Sequence, residues 1–209
     1  MSARDEILAK VRAALAGMPP APDHGSLPRC YRQSGTLDRN GVIALFEDRL
    51  RDYGAGVYRS SRHDLSQTIR NVMATRGKRS LIVPAGFARD SLPDSVEFHA
   101  GERLTYEELD RSEGALTSCA LAIAITGTII LRHSEADGRR ALTLLPDYHL
   151  CIVEASQIVE TVVEGIRTMA SFPRTPFTIV SGPSATSDIE MIRVAGVHGP
   201  RTIDVIVVA

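Results

Sequence analysis

Short runs rich in apolar and β-branched residues recur along the chain, and they constrain its fold more than any other feature. Ser80 to Val83, Leu150 to Val153, Phe177 to Val180 and Thr202 to Val208 have strand length, not helix length. Between them lie stripes at helical spacing: Val42, Leu45, Phe46 and Leu50, closed by Gly54, then Leu65, Ile69, Val72 and Met73. Strand, helix and strand in this order point to a parallel sheet covered by helices, an α/β fold. The middle of the chain reads differently. Leu116 to Ile125, Thr128 to Arg132, Ala141 to Leu145 and Leu150 to Val153 are successive β-like runs, so a mixed or antiparallel patch is expected there. Ile158, Val159, Val162, Val163, Ile166 and Met169 then predict an amphipathic helix, and Asp188 to Ala195 a short one.

The N-terminal part is of another kind. Ser2 caps a stripe of Ile7, Leu8, Val11 and Leu15, which predicts an amphipathic helix to Ala16. Met18 to Pro28 follows with Pro19, Pro20, Pro22 and Pro28, and cannot continue it. The expected organisation is a helix and Pro-rich linker over residues 1–38 and one α/β domain over 39–209.

Charge and cysteine usage exclude several classes of function. The 24 basic and 25 acidic residues nearly cancel and form no basic run, which argues against nucleic acid as a partner. No apolar stretch reaches the roughly 18–20 residues of a membrane span. The charged start, Arg4-Asp5-Glu6, is unlike a secretory signal, so a cytoplasmic location is expected. Cys30, Cys119 and Cys151 have no metal-ligand spacing; no metal or cluster site is expected in this chain, and Cys119 and Cys151 read as core residues.

Two segments and two histidines are candidates for chemistry. Phe177 to Val180 runs into Ser181-Gly182-Pro183-Ser184, with Thr186 and Asp188 beyond, a hydroxyl-rich loop expected to open a helix. Such a loop binds ligands at strand carboxyl ends in α/β proteins, or is a plain N-cap formed by Ser184 or by the Ser187 to Glu190 pair. Asp188 and Glu190 would already satisfy the positive helix end and repel a strongly anionic ligand. Thr126-Gly127-Thr128 interrupts an apolar run, either as a bend between strands or as a close backbone approach with two hydroxyls for a ligand. His149 and His198 suit acid–base work near neutral pH or a hydrogen-bonded structural place. Glu135, Asp147, Asp188 and His149 are the suppliers of a reactive acid or base. Gly54-Ala55-Gly56 follows a helix and lacks a third glycine, so it reads as a helix end and not as a dinucleotide loop.

Taken as a set, four segments resemble the lactate utilization protein C family with its LUD domain: Ile123 to Thr128, Gly138 to His149, Ser181 to Glu190, and Gly196-Val197-His198-Gly199-Pro200. The resemblance implies an α/β, Rossmann-like three-layer sandwich with a mixed, mostly parallel sheet. That sandwich is similar to the ribose-5-phosphate isomerase, glucosamine-6-phosphate deaminase and CoA-transferase group. It also implies work with partner subunits, at least one carrying iron-sulfur clusters, in oxidising L-lactate to pyruvate, the clusters being held by the partners. Where the family often has an acidic residue before Thr-Gly-Thr, this chain has Ile125, which removes a carboxylate at that place. The ligand-binding positions carried forward are Thr126, Gly127, Thr128, His149, Ser181, Gly182, Pro183, Ser184, Thr186, Asp188 and His198; no catalytic set is assigned. Three roles stay open: an accessory or substrate-binding subunit, a stand-alone enzyme on a phosphosugar, acyl-CoA or folate-like compound, and a sensor of small carboxylates. Self-association is open as well.

Overall fold

A computed structural model of the chain describes residues 2–19, 23–134, 138–172, 175–186, 194–195 and 199–209. Two compact units divide after Arg32. In the first, α1 (Ala3–Leu15) begins at a capping box in which the Ser2 hydroxyl accepts from Asp5 N and Asp5 accepts from Ser2 N. Ile7, Val11 and Leu15 on its apolar stripe are exposed, and the helix buries no residue.

In the second unit, Gln33 to Asp38 is fastened by carboxylates. Glu160 accepts from Thr36 N and Leu37 N, both at 2.7 Å, and Glu164 accepts from Gly35 N at 2.9 Å. Asp38 then caps α2 (Arg39–Asp52) by accepting from Gly41 N. At its far end Gly54 takes φ +83°, and Ala55 N turns back to Leu50 O, the helix end expected of that glycine. Strand β1 (Gly56–Ser60) follows, then α3 (Leu65–Arg76) and β2 (Ser80–Val83) as read from the sequence. Then come β3 (Glu97–Ala100), α4 (Tyr106–Asp110) and β4 (Ala115–Thr117). The remaining elements are β5 (Leu121–Ile123), β6 (Thr128–Arg132), β7 (Tyr148–Glu154), β8 (Ile158–Val159) and α5 (Val162–Ala170), then β9 (Phe177–Val180), β10 (Ala185–Thr186), β11 (Val194–Ala195) and β12 (Thr202–Val208).

The main sheet has six strands in the order β1-β12-β7-β4-β2-β3, and every pair in it is parallel. A second sheet, β8-β5-β6-β9, holds the antiparallel pairs, with β5 and β8 parallel. β10 and β11 form a separate antiparallel ribbon. Alternation along β7 and β12 sets the layers. Cys151, Val153, Val205 and Val207 face Phe46 and Leu50 of α2 together with Ile129 and Leu131 of the second sheet. Leu150, Ile152, Ile206 and Val208 face Ile69, Val72 and Met73 of α3. The central strands are thus buried on both sides, which is why they are apolar almost throughout.

Four sequence expectations change. The run from Leu116 to Ile125 is two strands, because the chain leaves the main sheet at Ser118 to Ala120 and enters the second. Ala141 to Leu145 is not a strand: Arg140–Thr143 forms a 3-10 turn with Leu142 buried, since a short apolar run fits either period. Ile158 and Val159 pair with β5 before the helix starts at Thr161, whose hydroxyl and Glu164 make a capping box. Val194–Ala195 pairs with Ala185–Thr186 as a strand, so the helix expected over Asp188 to Ala195 does not reach its end; its first part lies outside the described residues.

Candidate functional site

A cavity of about 260 Å³ opens between the amino ends of β7 and β12 and the segment following β9. Its polar lining is Thr143, His149, Thr178, Ser181 and Ser184, and Leu144, Ile179, Val180, Gly182, Pro183, Ala185, Gly199, Pro200 and Ile203 complete the described wall. Among the described lining residues none is Asp, Glu, Lys or Arg. The parallel register sets Ala115, His149 and Ile203 side by side, which holds the imidazole at the strand ends.

Three hydrogen-bonded hydroxyl groups brace the walls. His149 Nε2 and Thr117 Oγ1 are 2.8 Å apart, and Nδ1 has no protein partner among the described residues. Thr128 Oγ1 lies 2.8 Å from Ser181 Oγ and 2.7 Å from Thr126 Oγ1, so Thr126-Gly127-Thr128 reaches the cavity through Ser181. Gly127, at φ +55°, lies where an added Cβ would sit 2.9 Å from Arg49 Cβ; its role is close contact with α2. On the third wall His133 Nε2 meets Thr178 Oγ1 at 2.8 Å.

The site differs from the sequence reading in place and kind. Ser181 to Ser184 leads into β10 and not directly into a helix, and Ser184 N donates to Pro200 O at 2.9 Å. A helix end offering free N–H groups to an anion is therefore absent at Ser184. The cavity also lies at the amino ends of β7 and β12, because the strand preceding the loop belongs to the second sheet. Asp147 is spent elsewhere: Arg201 donates to both its oxygens and holds its carboxyl below the usual range. Asp188, His198 and Glu135 lie outside the described residues, and for Thr186 only the backbone pairing with Val194 is described. Sequence reasoning missed Thr117, His133, Thr143 and Thr178. Thr178 had a signal: on β9 it is buried while its neighbour Ile179 is 62% exposed, a polar-in alternation hidden within an apolar run.

His149 is 1% exposed, and burial pushes its pKa down to about 4, so it is neutral at pH 7. The unfolded chain then binds more protons than the folded one between roughly pH 6.5 and 4. Stability should fall as pH drops through that window, by up to about 3 kcal/mol from this one group. Urea unfolding of the wild type and of His149→Gln from pH 7 to pH 4 checks this; parallel pH profiles would refute it.

Three of the four distant segments that drew attention in the sequence thus line one cavity, and the fourth is bonded to its wall through Thr128 and Ser181. A family model, the LUD domain, matches residues 43–208. The chain belongs to the LUD domain family. Lactate utilization protein C of Deinococcus radiodurans is 44% identical over 209 residues, covering 99% of this chain and 95% of the relative. The protein of the same name from Bacillus pumilus is 34% identical over 192 residues, covering 81% and 79%. The crystal structure of a DUF162 family protein from Deinococcus radiodurans superposes with a TM-score of 0.71 at 40% identity, covering 83% of this chain and all of that one. Within the LUD domain family this chain is a lactate utilization protein C homologue, and its α/β fold is that of a solved member. Among the described residues no helix is long and apolar enough to cross a membrane.

Proposed function

We propose that this chain is the substrate-binding component of a system oxidising L-lactate to pyruvate, and that the cavity around His149 and Ser181 is where it takes a small organic acid. The observation that carries this reading is that three of the four family segments line one small hydroxyl-lined cavity, with the fourth bonded to its wall, and that no described lining residue carries a fixed charge. Relatives named for lactate utilization over nearly the full chain supply the pathway. The cavity volume is at the low end of ligand pockets, roughly 300–1,000 Å³ for drug-sized molecules, and suits a compound of a few heavy atoms. The absence of Lys and Arg among its described lining residues disfavours a phosphosugar, and its size disfavours a whole acyl-CoA.

Electron transfer is assigned to partners. An iron-sulfur cluster takes about four thiolates, whereas this chain has three cysteines, with Cys30 exposed in the first unit and Cys119 and Cys151 buried in the second. The cysteines present do not fit such a group.

A thermal-shift series with L-lactate, pyruvate, sugar phosphates and CoA tests the assignment. L-Lactate or pyruvate should stabilise the protein, by about 2.7 kcal/mol at a hundredfold excess over its dissociation constant. Ser181→Ala, which breaks the hydroxyl chain to Thr128 and Thr126, should weaken that response about tenfold in affinity, the worth of roughly one well-made hydrogen bond. Stabilisation by sugar phosphate or CoA alone would move the chain to the stand-alone enzyme class. In cells, deletion of the gene should impair growth on L-lactate, and unimpaired growth would count against the assignment.

A further inference from the structure

We infer that a carboxylate entering this cavity is neutralised by a proton taken up on His149, so that acid and proton bind together. The inference rests on the proposed reading that the ligand is a small carboxylate. Its basis is geometric. An anion moved from water into a largely buried site needs an opposite charge or several donors. Among the described lining residues there is no Lys or Arg, and His149 is the group there that can become cationic. Thr117 holds Nε2, which leaves Nδ1 as the ring nitrogen for a ligand.

Among the described residues no competing charge faces the ring. From β4 the ring meets Thr117, from β12 Ile203, and the titratable group beside it on β7 is Cys151, two residues on. In the turn that carries Thr143, Arg140 is exposed and Arg139 donates to Leu104 O. His133 is engaged by Thr178 Oγ1 at one ring nitrogen and Gly138 O at the other. Asp147 is paired with Arg201, and Asp204 bonds Tyr148 and Arg76 on the opposite face of the sheet.

The direction of the linkage follows. Without ligand the ring is neutral because burial penalises its charged form. A carboxylate beside it favours the imidazolium and raises its pKa in the complex. Between the two values binding takes up a proton, and affinity improves as pH falls, with a limit of tenfold per pH unit. Above the value in the complex the affinity is flat and weak.

Calorimetric titration of the full-length protein with sodium L-lactate and with sodium pyruvate, between about pH 5.5 and 8 in two buffers of different ionisation enthalpy, reads this directly. The expected result is proton uptake approaching one per ligand, and tighter binding at lower pH. In His149→Gln both should vanish while weak, pH-independent binding remains. Histidine-labelled wild-type protein gives a second readout that needs no variant: one imidazole resonance should move to the cationic position on adding L-lactate. Binding with no proton uptake, no moving imidazole resonance, or uptake that persists in His149→Gln would overturn the inference and leave the site assignment standing. No binding of either acid at any pH would overturn the assignment itself.

Discussion

Replacing Asp204 with Asn should lower the unfolding free energy by about 3–5 kcal/mol, seen as a lower urea midpoint at unchanged slope. Asp204 lies in the centre of β12 with no exposed surface. Arg76 of α3 donates to its two oxygens at 2.7 and 2.6 Å, and the Tyr148 hydroxyl donates at 2.9 Å. The carboxylate raises the pKa of both partners, foremost through its hydrogen bonds to Arg76, while for Tyr148 burial contributes most. Asn keeps one acceptor oxygen and puts a donor in place of the other, so the half-buried guanidinium loses its counter-charge and at least one of the three donors loses its partner. Arg76 keeps 35% side-chain exposure, so water softens its loss and the lower end of the range applies to Asn. Removing both charges is a different matter. In Asp204→Leu with Arg76→Leu no charge is left unpaired and only the Tyr148 hydroxyl loses its acceptor, so much of the loss should be recovered, because buried ion pairs trade nearly evenly against apolar packing. An Asp204→Asn cost below about 1 kcal/mol would show that the pair does not brace α3 to the sheet.

The same cluster shows how far the sequence could be read. Period and run length placed α2, α3, β2, β9 and β12, because each is a local pattern whose buried face is written in its own residues. They could not place Asp204's partner, which is 128 positions away on another element. Polar elements were missed for a related reason. β3 is an edge strand of Glu97, Phe98, His99 and Ala100, and α4 begins at a Thr105 to Glu108 capping box; neither carries an apolar stripe. The site was legible in part. Ser181 to Ser184 and His149 were marked as candidates, and the structure brings them to one cavity. Thr117, Thr143 and Thr178 were not, since a buried threonine looks like any β-branched residue until its strand's inward face is known.

Gly182→Ala should cost about 3–5 kcal/mol and abolish measurable ligand binding, the largest effect expected at the cavity. Two independent causes act at this residue. Its φ of +79° is a conformation costing a residue with Cβ about 1–2 kcal/mol. An added Cβ would also lie 2.4 Å from Tyr53 Cβ and 2.9 Å from its ring, closer than atoms pack, so the loop must move. That movement carries Ser181 away from Thr128 Oγ1 and Ser184 N away from Pro200 O, the two bonds that hold the cavity wall. The causes separate in a double-mutant cycle. Tyr53→Gly removes the atom in the way at the end of α2 and leaves the backbone angle untouched. Gly182→Ala in that background should retain only the conformational cost and regain L-lactate binding, giving a coupling of about 2 kcal/mol between residues 129 positions apart. Simple additivity would mean that the loop yields without losing its bonds, and that the tight approach of Gly182 to α2 is not what shapes the site.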